Sequence, residues 1–212
     1  MTALHVPDPA ERGDLGAFIA RVVRLDPAAS ARLRAGTSLG TETVTAWAST
    51  PFDVLATRTV HGHIDPPDAT MSANALLTAL AVERSPTVDP GAGGVWAGDL
   101  PPESGWSPVD VVPTAEIDAL AERGLAVARE NAGPLGPPAS LLDQTVLTVS
   151  AAAGPTVKVP LRCLFALSGM GFLGDDGEGG SVRVSATDAW LRLDARYGAV
   201  VRRRTLTLPL LV

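Results

Sequence analysis

The pentapeptide His61-Gly62-His63-Ile64-Asp65 places two imidazoles and a carboxylate at alternate positions. In an extended segment residues 61, 63 and 65 point to one face, about 6.6 Å apart at each two-residue step. Two imidazole nitrogens and a carboxylate can supply three ligands of a catalytic zinc site and leave the fourth position open. A metal-dependent enzyme is the function such a trio would serve. The plainer reading is a solvated polar face running into the Pro66-Pro67 turn, because a metal site also needs outer partners that orient its ligands.

The spacing resembles the start of the His-x-His-x-Asp-His motif of metallo-β-lactamase-like hydrolases. Pro66 stands where that motif requires its last histidine, and His5 is the only other histidine in the chain, so the resemblance implies no activity here. Gly169-Met170-Gly171-Phe172-Leu173-Gly174 matches G-x-G-x-x-G letter for letter. A dinucleotide fingerprint needs those glycines to open a helix after a strand. The acidic run Asp175-Asp176-Gly177-Glu178 follows instead, which reads as a glycine-rich exit from a buried segment. Cys163 lies among large apolar residues in LRCLFAL and reads as an inert core thiol. No phosphate-binding loop of the G-x-x-x-x-G-K-[ST] type and no G-x-S-x-G elbow occurs, and three histidines with one cysteine assemble no nucleophile, base and acid. No cofactor is implied.

Positive charge concentrates at the C-terminal end. Ser181 to Val212 holds six arginines against Asp188 and Asp194, a net +4 inside a chain whose formal net charge is −6. Alternation of Leu191, Leu193 and Ala195 with Trp190, Arg192 and Asp194 predicts a strand, and a three-residue loop of Arg196, Tyr197 and Gly198 returns the chain as a hairpin. This register sets Leu193 opposite Val201 and Arg192 opposite Arg202. Like charges facing each other across strands destabilise, so an anion should compensate. Trp190, Arg192, Arg196, Arg202, Arg203 and Arg204 therefore form the candidate surface for an acidic protein partner. Nucleic acid is the alternative, with Trp190 as a stacking platform. The competing occupant is the protein's own acidic loop at 174–180, together with Asp194. The apolar end TLTLPLLV is expected to pack on the body or against a second copy.

The elements that must hold these groups are read from capping and periodicity. Asp8-Pro9-Ala10-Glu11 predicts a helix start, with Asp8 as cap, Pro9 at the first position and Glu11 reaching back. Leu15, Phe18, Ile19, Val22 and Val23 form its apolar stripe. Asp26-Pro27 predicts a second, shorter helix to about Ala35. From Thr41 the period falls to two, giving a half-buried strand that Pro51 ends and that a second strand, Phe52 to Ile64, answers as a hairpin. A helix follows over 72–84.

Residues 85–112 are rich in Pro and Gly and aperiodic. They read as a strap pinned by Trp96 and Trp106 rather than a free linker. Pro113 starts a helix to about Asn131, with Ile117, Leu120, Ala121, Leu125 and Ala128 inward. TVLTVS and TVKVP are paired strands, and LRCLFALSGM is a buried helix or strand.

These elements predict an α+β protein with largely antiparallel sheets and helices packed on one side, arranged as two related α-β-β-α halves. The expected divisions are 1–84, the strap 85–112, and 113–212, with one compact domain as the other arrangement. At 46% hydrophobic and 19% charged residues the chain is globular rather than disordered. One cysteine excludes an internal disulfide. The N-terminus lacks a secretory pattern and no apolar run is long enough to span a bilayer, so a cytoplasmic location without membrane partners is expected.

The segments DPAERGDLGAF, PPASLLDQTVLTV, VPLRCLFALSGMGF and WLRLDARYGAVVRRR resemble a group of uncharacterised proteins of high-GC actinobacteria. The resemblance agrees with a basic complement of almost only arginine and transfers no catalytic residue. The leading expectation is a non-catalytic interaction or regulatory protein acting through the basic hairpin, on a protein partner or on itself.

Overall fold

The computed structural model describes residues 2–82, 85–133, 136–151, 156–174 and 179–204. The acidic run 175–178, expected as a cover for the arginines, and the apolar end 205–212, expected to pack on the body or a second copy, lie outside the described residues. The protein is α+β with antiparallel sheets. It divides into two compact units, Met1–Asp99 with Gly169–Gly171, and Leu100–Ser168 with Phe172–Val212.

In the first unit β1 (Ala3–His5) leads into α1 (Pro9–Leu25). The Asp8 carboxylate accepts from the Ala10 backbone N–H at 2.8 Å, and Pro9 takes the first helical turn. Glu11 does not close a capping box, because its carboxylate is taken by His61. Leu15, Phe18, Ile19 and Val22 form the buried stripe. α1 lies against β3 and β4 and against α2.

The expected second helix is instead β2 (Ser30–Ser38). Asp26 caps the end of α1 and turns the chain by accepting from Ala28 N–H. Ala31 and Leu33 then point inward, while Arg32 and Arg34 reach Asp68. A segment of strong helix formers becomes a strand because two neighbours supply a full ladder, which outweighs local propensity.

β3 (Thr41–Thr50) and β4 (Val54–His61) form the expected hairpin across Pro51. β3 is covered on both faces, since Trp47 and Thr43 are buried as well as Val44, Ala46 and Ala48. β5 (His63–Asp65) pairs with β1, and β6 (Asp68–Ser72) joins β2, giving the order β6-β2-β3-β4. α2 (Ala73–Val82) follows with Leu76 buried, and β7 (Thr87–Val88) completes a small sheet β5-β1-β7.

The Pro/Gly-rich stretch seals an edge. Gly93 and Gly94 N–H groups donate to the Thr70 carbonyl at 3.3 and 3.1 Å along the outer side of β6. A Cβ at Gly94 would stand 2.9 Å from the Met71 backbone, so only glycine permits this approach. An uncovered edge strand invites pairing with another chain, and here the chain's own backbone covers part of it.

The second unit starts with β8 (Ser107–Pro113), a strand that the Pro-rich sequence conceals. α3 (Thr114–Glu130) buries Ile117, Ala121 and Ala128. Leu125 departs from expectation and is exposed, whereas Gly124 gives the close approach to Leu161. A short α4 (Ala139–Leu142) precedes the hairpin β9 (Thr145–Ser150) and β10 (Thr156–Pro160).

LRCLFALSG is helix α5 (Leu161–Gly169), with Cys163 fully buried. Its apolar side meets Ala128 and Leu141, with Val146 and Phe165 packed alongside. The glycines of the G-x-G-x-x-G match end this helix rather than open one, and Gly171 and Gly174 take left-handed φ values of 60° and 75°. β11 (Ser181–Ala186), β12 (Trp190–Ala195) and β13 (Gly198–Arg203) finish the order β13-β12-β11-β8. Among the described residues no helix is long and apolar enough to cross a membrane.

Candidate interaction site on the C-terminal strands

The β12–β13 hairpin turns on two residues, Arg196 and Tyr197, so Ala195 pairs with Gly198 and Leu193 with Val200. The three-residue loop and the Arg192/Arg202 opposition are therefore corrected. Arg192 faces Val201, and Arg202 faces Leu191. The expectation assumed one wet face and one dry face, but Trp190, Leu191 and Leu193 are all buried, as are Ala199, Val200 and Val201. With both faces covered, alternation no longer selects the register. Gly198 is needed for space: a Cβ there would stand 2.6 Å from the Phe172 ring.

Side chains of directly paired residues share a face, so this register divides the arginines. Trp190, Arg192 and Arg203 lie on one face of the hairpin and Arg202 on the other. On the first face the Arg203 guanidinium stacks 5.0 Å from the centroid of the Trp190 ring. Arg192 donates to Asp194 Oδ1 from Nε at 2.8 Å and from Nη2 at 2.7 Å, and stacks 5.9 Å from the Trp106 ring. Trp106 is held by its own indole N–H, which donates to the Pro102 carbonyl at 2.9 Å.

On the second face Arg202 donates to Asp143 Oδ1 at 3.2 Å. The same oxygen accepts from Arg162 at 2.9 and 2.8 Å. The Arg162 side chain is only 7% exposed, so this aspartate compensates a buried cation. Arg196 stacks on Tyr197 at 5.4 Å. Arg204 donates from Nη1 to the Thr187 carbonyl at 2.7 Å. The candidate residues are thus close in sequence, but each is bound into the protein, and they do not form one strip.

Sequence reasoning missed two partners. Asp143 sits in a turn-rich stretch with no periodic signal, and Trp106 carried only the hint that an aromatic in a Pro/Gly segment must be pinned somewhere.

The histidines are also separated. His61 ends β4 opposite Thr43, while His63 begins β5 opposite His5, in a different sheet. Glu11 accepts from the His61 backbone N–H and lies 2.6 Å from its Nδ1; His63 Nδ1 lies 3.3 Å from Glu42. Asp65 pairs with Ala3. Each imidazole has its own carboxylate on a different element. Among the described residues no group of three or more His, Cys, Asp or Glu side chains is placed to hold a metal ion, so His61, His63 and Asp65 do not form the expected trio.

Two family models match the chain: one described as Domain of unknown function (DUF8185) over residues 101–207, and one described as Domain of unknown function (DUF8010) over residues 1–98. No curated protein matches it. Solved structures of sliding clamps share its fold. The DNA polymerase sliding clamp from Caulobacter crescentus is 18% identical with a TM-score of 0.58, over 98% of this chain and 66% of that one. The sliding clamp from Pseudomonas aeruginosa, solved with a ligand, is 12% identical with a TM-score of 0.57, over 99% and 66%. That from Bacillus subtilis is 12% identical with a TM-score of 0.56, over 98% and 65%. At such identities the likeness is one of fold, and the chain spans just under two thirds of the length of these structures.

Proposed function

The chain belongs to the family described as Domain of unknown function (DUF8185), and from that premise we propose that it is a non-catalytic assembly protein, acting by binding protein partners, copies of itself included. The observation that carries this reading is the clamp likeness, which runs through 98% of the chain rather than through one unit. The site geometry agrees with it. Arg192 and Arg202 are tied to carboxylates, and His61 and His63 each pair with a separate carboxylate, which is the arrangement of a scaffold rather than of a reacting centre.

Light scattering on the purified chain over a wide concentration range tests the reading. A mass above 21.8 kDa that grows with concentration is expected for self-association. A monomer at every concentration, with no protein retained from a host extract by the immobilised chain, would remove it.

Nucleic-acid binding is the second reading, favoured because the structures sharing the fold are described as DNA polymerase sliding clamps. Phosphate contacts would make affinity fall steeply with salt. Arg192 and Arg202 already serve carboxylates inside the protein, so this reading draws on other surface cations. Fluorescence anisotropy with labelled duplex DNA at low salt decides it, and no binding there would end it.

A further inference from the structure

A small polar cleft of about 250 Å³ opens in the second unit between the end of the Pro/Gly-rich stretch and the β11–β12 turn. Ser104, Ser107, Thr187, Asp188 and Arg204 line it. Its cation is held in place. The Arg204 backbone N–H donates to the Ala189 carbonyl at 2.8 Å, and Nη1 donates to the Thr187 carbonyl at 2.7 Å. The turn beneath is held by the Thr187 hydroxyl, which accepts from Ala189 and Trp190 N–H groups at 3.3 and 3.0 Å.

Nη1 is the guanidinium nitrogen this anchor uses. An arginine presents five N–H donors in a fixed fork, so the Thr187 carbonyl takes only part of that fork while Arg204 also lines the cleft. Asp188 lines the same space, is exposed, and makes no ion pair with Arg204 among the described residues. A cation and an anion that share one cleft without pairing, beside two serines, complement a ligand carrying both charges. An anion alone would meet Asp188, and a cation alone would meet Arg204.

We propose that this cleft binds a small zwitterionic group, its carboxylate on Arg204 and its ammonium on Asp188, with Ser104 and Ser107 completing the hydrogen bonds. The volume suits a ligand of amino-acid size. Two sources offer that chemistry: a free α-amino acid, or adjacent acidic and basic side chains on a peptide.

Calorimetric titration of the full chain distinguishes them, with L-alanine, N-acetyl-L-alanine, L-alanine amide and the blocked dipeptide Ac-Lys-Glu-NH2 as probes. L-Alanine is expected to bind at least tenfold more tightly than the two probes that keep one charge. Binding of the dipeptide in its place assigns the same chemistry to a peptide source. Asp188→Asn should weaken binding at least tenfold, and Arg204→Gln likewise. Asp188 is exposed and its carboxylate makes no hydrogen bond or ion pair among the described residues, so its variant reports on the cleft even if the arginine variant disturbs the turn. The proposal is overturned if neither zwitterionic probe binds, if N-acetyl-L-alanine binds as well as L-alanine, or if Asp188→Asn leaves the affinity unchanged.

Discussion

Arg202 reaches 59 residues back along the chain to Asp143, whose Oδ1 it shares with the buried Arg162. One carboxylate thus ties α5 and β13 to the turn after α4. Asp143→Asn keeps the shape and removes the charge, leaving the buried Arg162 side chain with less compensation. The carboxylate itself is half exposed, which reduces the cost below that of a fully buried pair. A loss of about 1–3 kcal/mol is expected in urea denaturation.

Asp68 gives a pH dependence of definite sign. Its hydrogen bond from Arg32, reinforced by the charges of Arg32 and Arg34, holds its pKa below the ordinary value. A group lowered on folding contributes stability that is present above its unfolded pKa and is lost as pH falls through the folded one. Stability of the parent relative to Asp68→Asn should be constant near neutrality and shrink on acidification below the normal carboxylate range. Parallel denaturation curves for the two proteins across that range would contradict this.

Asp118 should behave in the opposite sense. Burial first, and the neighbouring Glu122 second, push its pKa up. A raised group favours folding below its unfolded pKa, and that advantage disappears as pH rises through the folded pKa. Asp118→Asn is therefore expected to stabilise the protein at neutral pH and to lose the gain in acid. Thermal unfolding at two pH values checks it.

Leu39 stands fully exposed at the tip of the β2–β3 hairpin with φ of 50°. The left-handed region is costly for a large side chain and comfortable for asparagine. Leu39→Asn should raise stability by about 1 kcal/mol by relieving this strain without removing a packed contact. No change in the denaturation midpoint would show that the turn carries no strain.

Gly198→Ala tests the hairpin register. The added methyl meets the Phe172 ring rather than solvent. Overpacking of this kind costs about 1–3 kcal/mol. Were glycine required only for a flexible loop, the same change would be close to neutral.

Local chemistry made much of the fold legible. The Asp8-Pro9 start of α1, the hairpin across Pro51, the helices over 73–82 and 114–130, and the pair TVLTVS/TVKVP all follow from caps, breaks and periods within a few residues of themselves. The same local signals failed where the deciding partner lay far away. ASARLRAG became β2 because β3 and β6 flank it. Glu11 left its capping role for His61, fifty residues on. β8 was hidden because its prolines read as breaks, although an edge strand paired on one side tolerates them.

For the candidate site, sequence alone determined that positive charge gathers around Arg192 and Arg202–Arg204 and that a hairpin carries it. Tertiary structure decided what that charge does. A cross-strand register is set by what covers each face, and a guanidinium's availability by which carboxylates the fold brings within about 3 Å. Both are long-range properties. Covering both faces of β12 and β13 moved the pairing by one residue, placed Arg202 beside Asp143 instead of Arg192, and turned an apparent basic strip into internal fastenings.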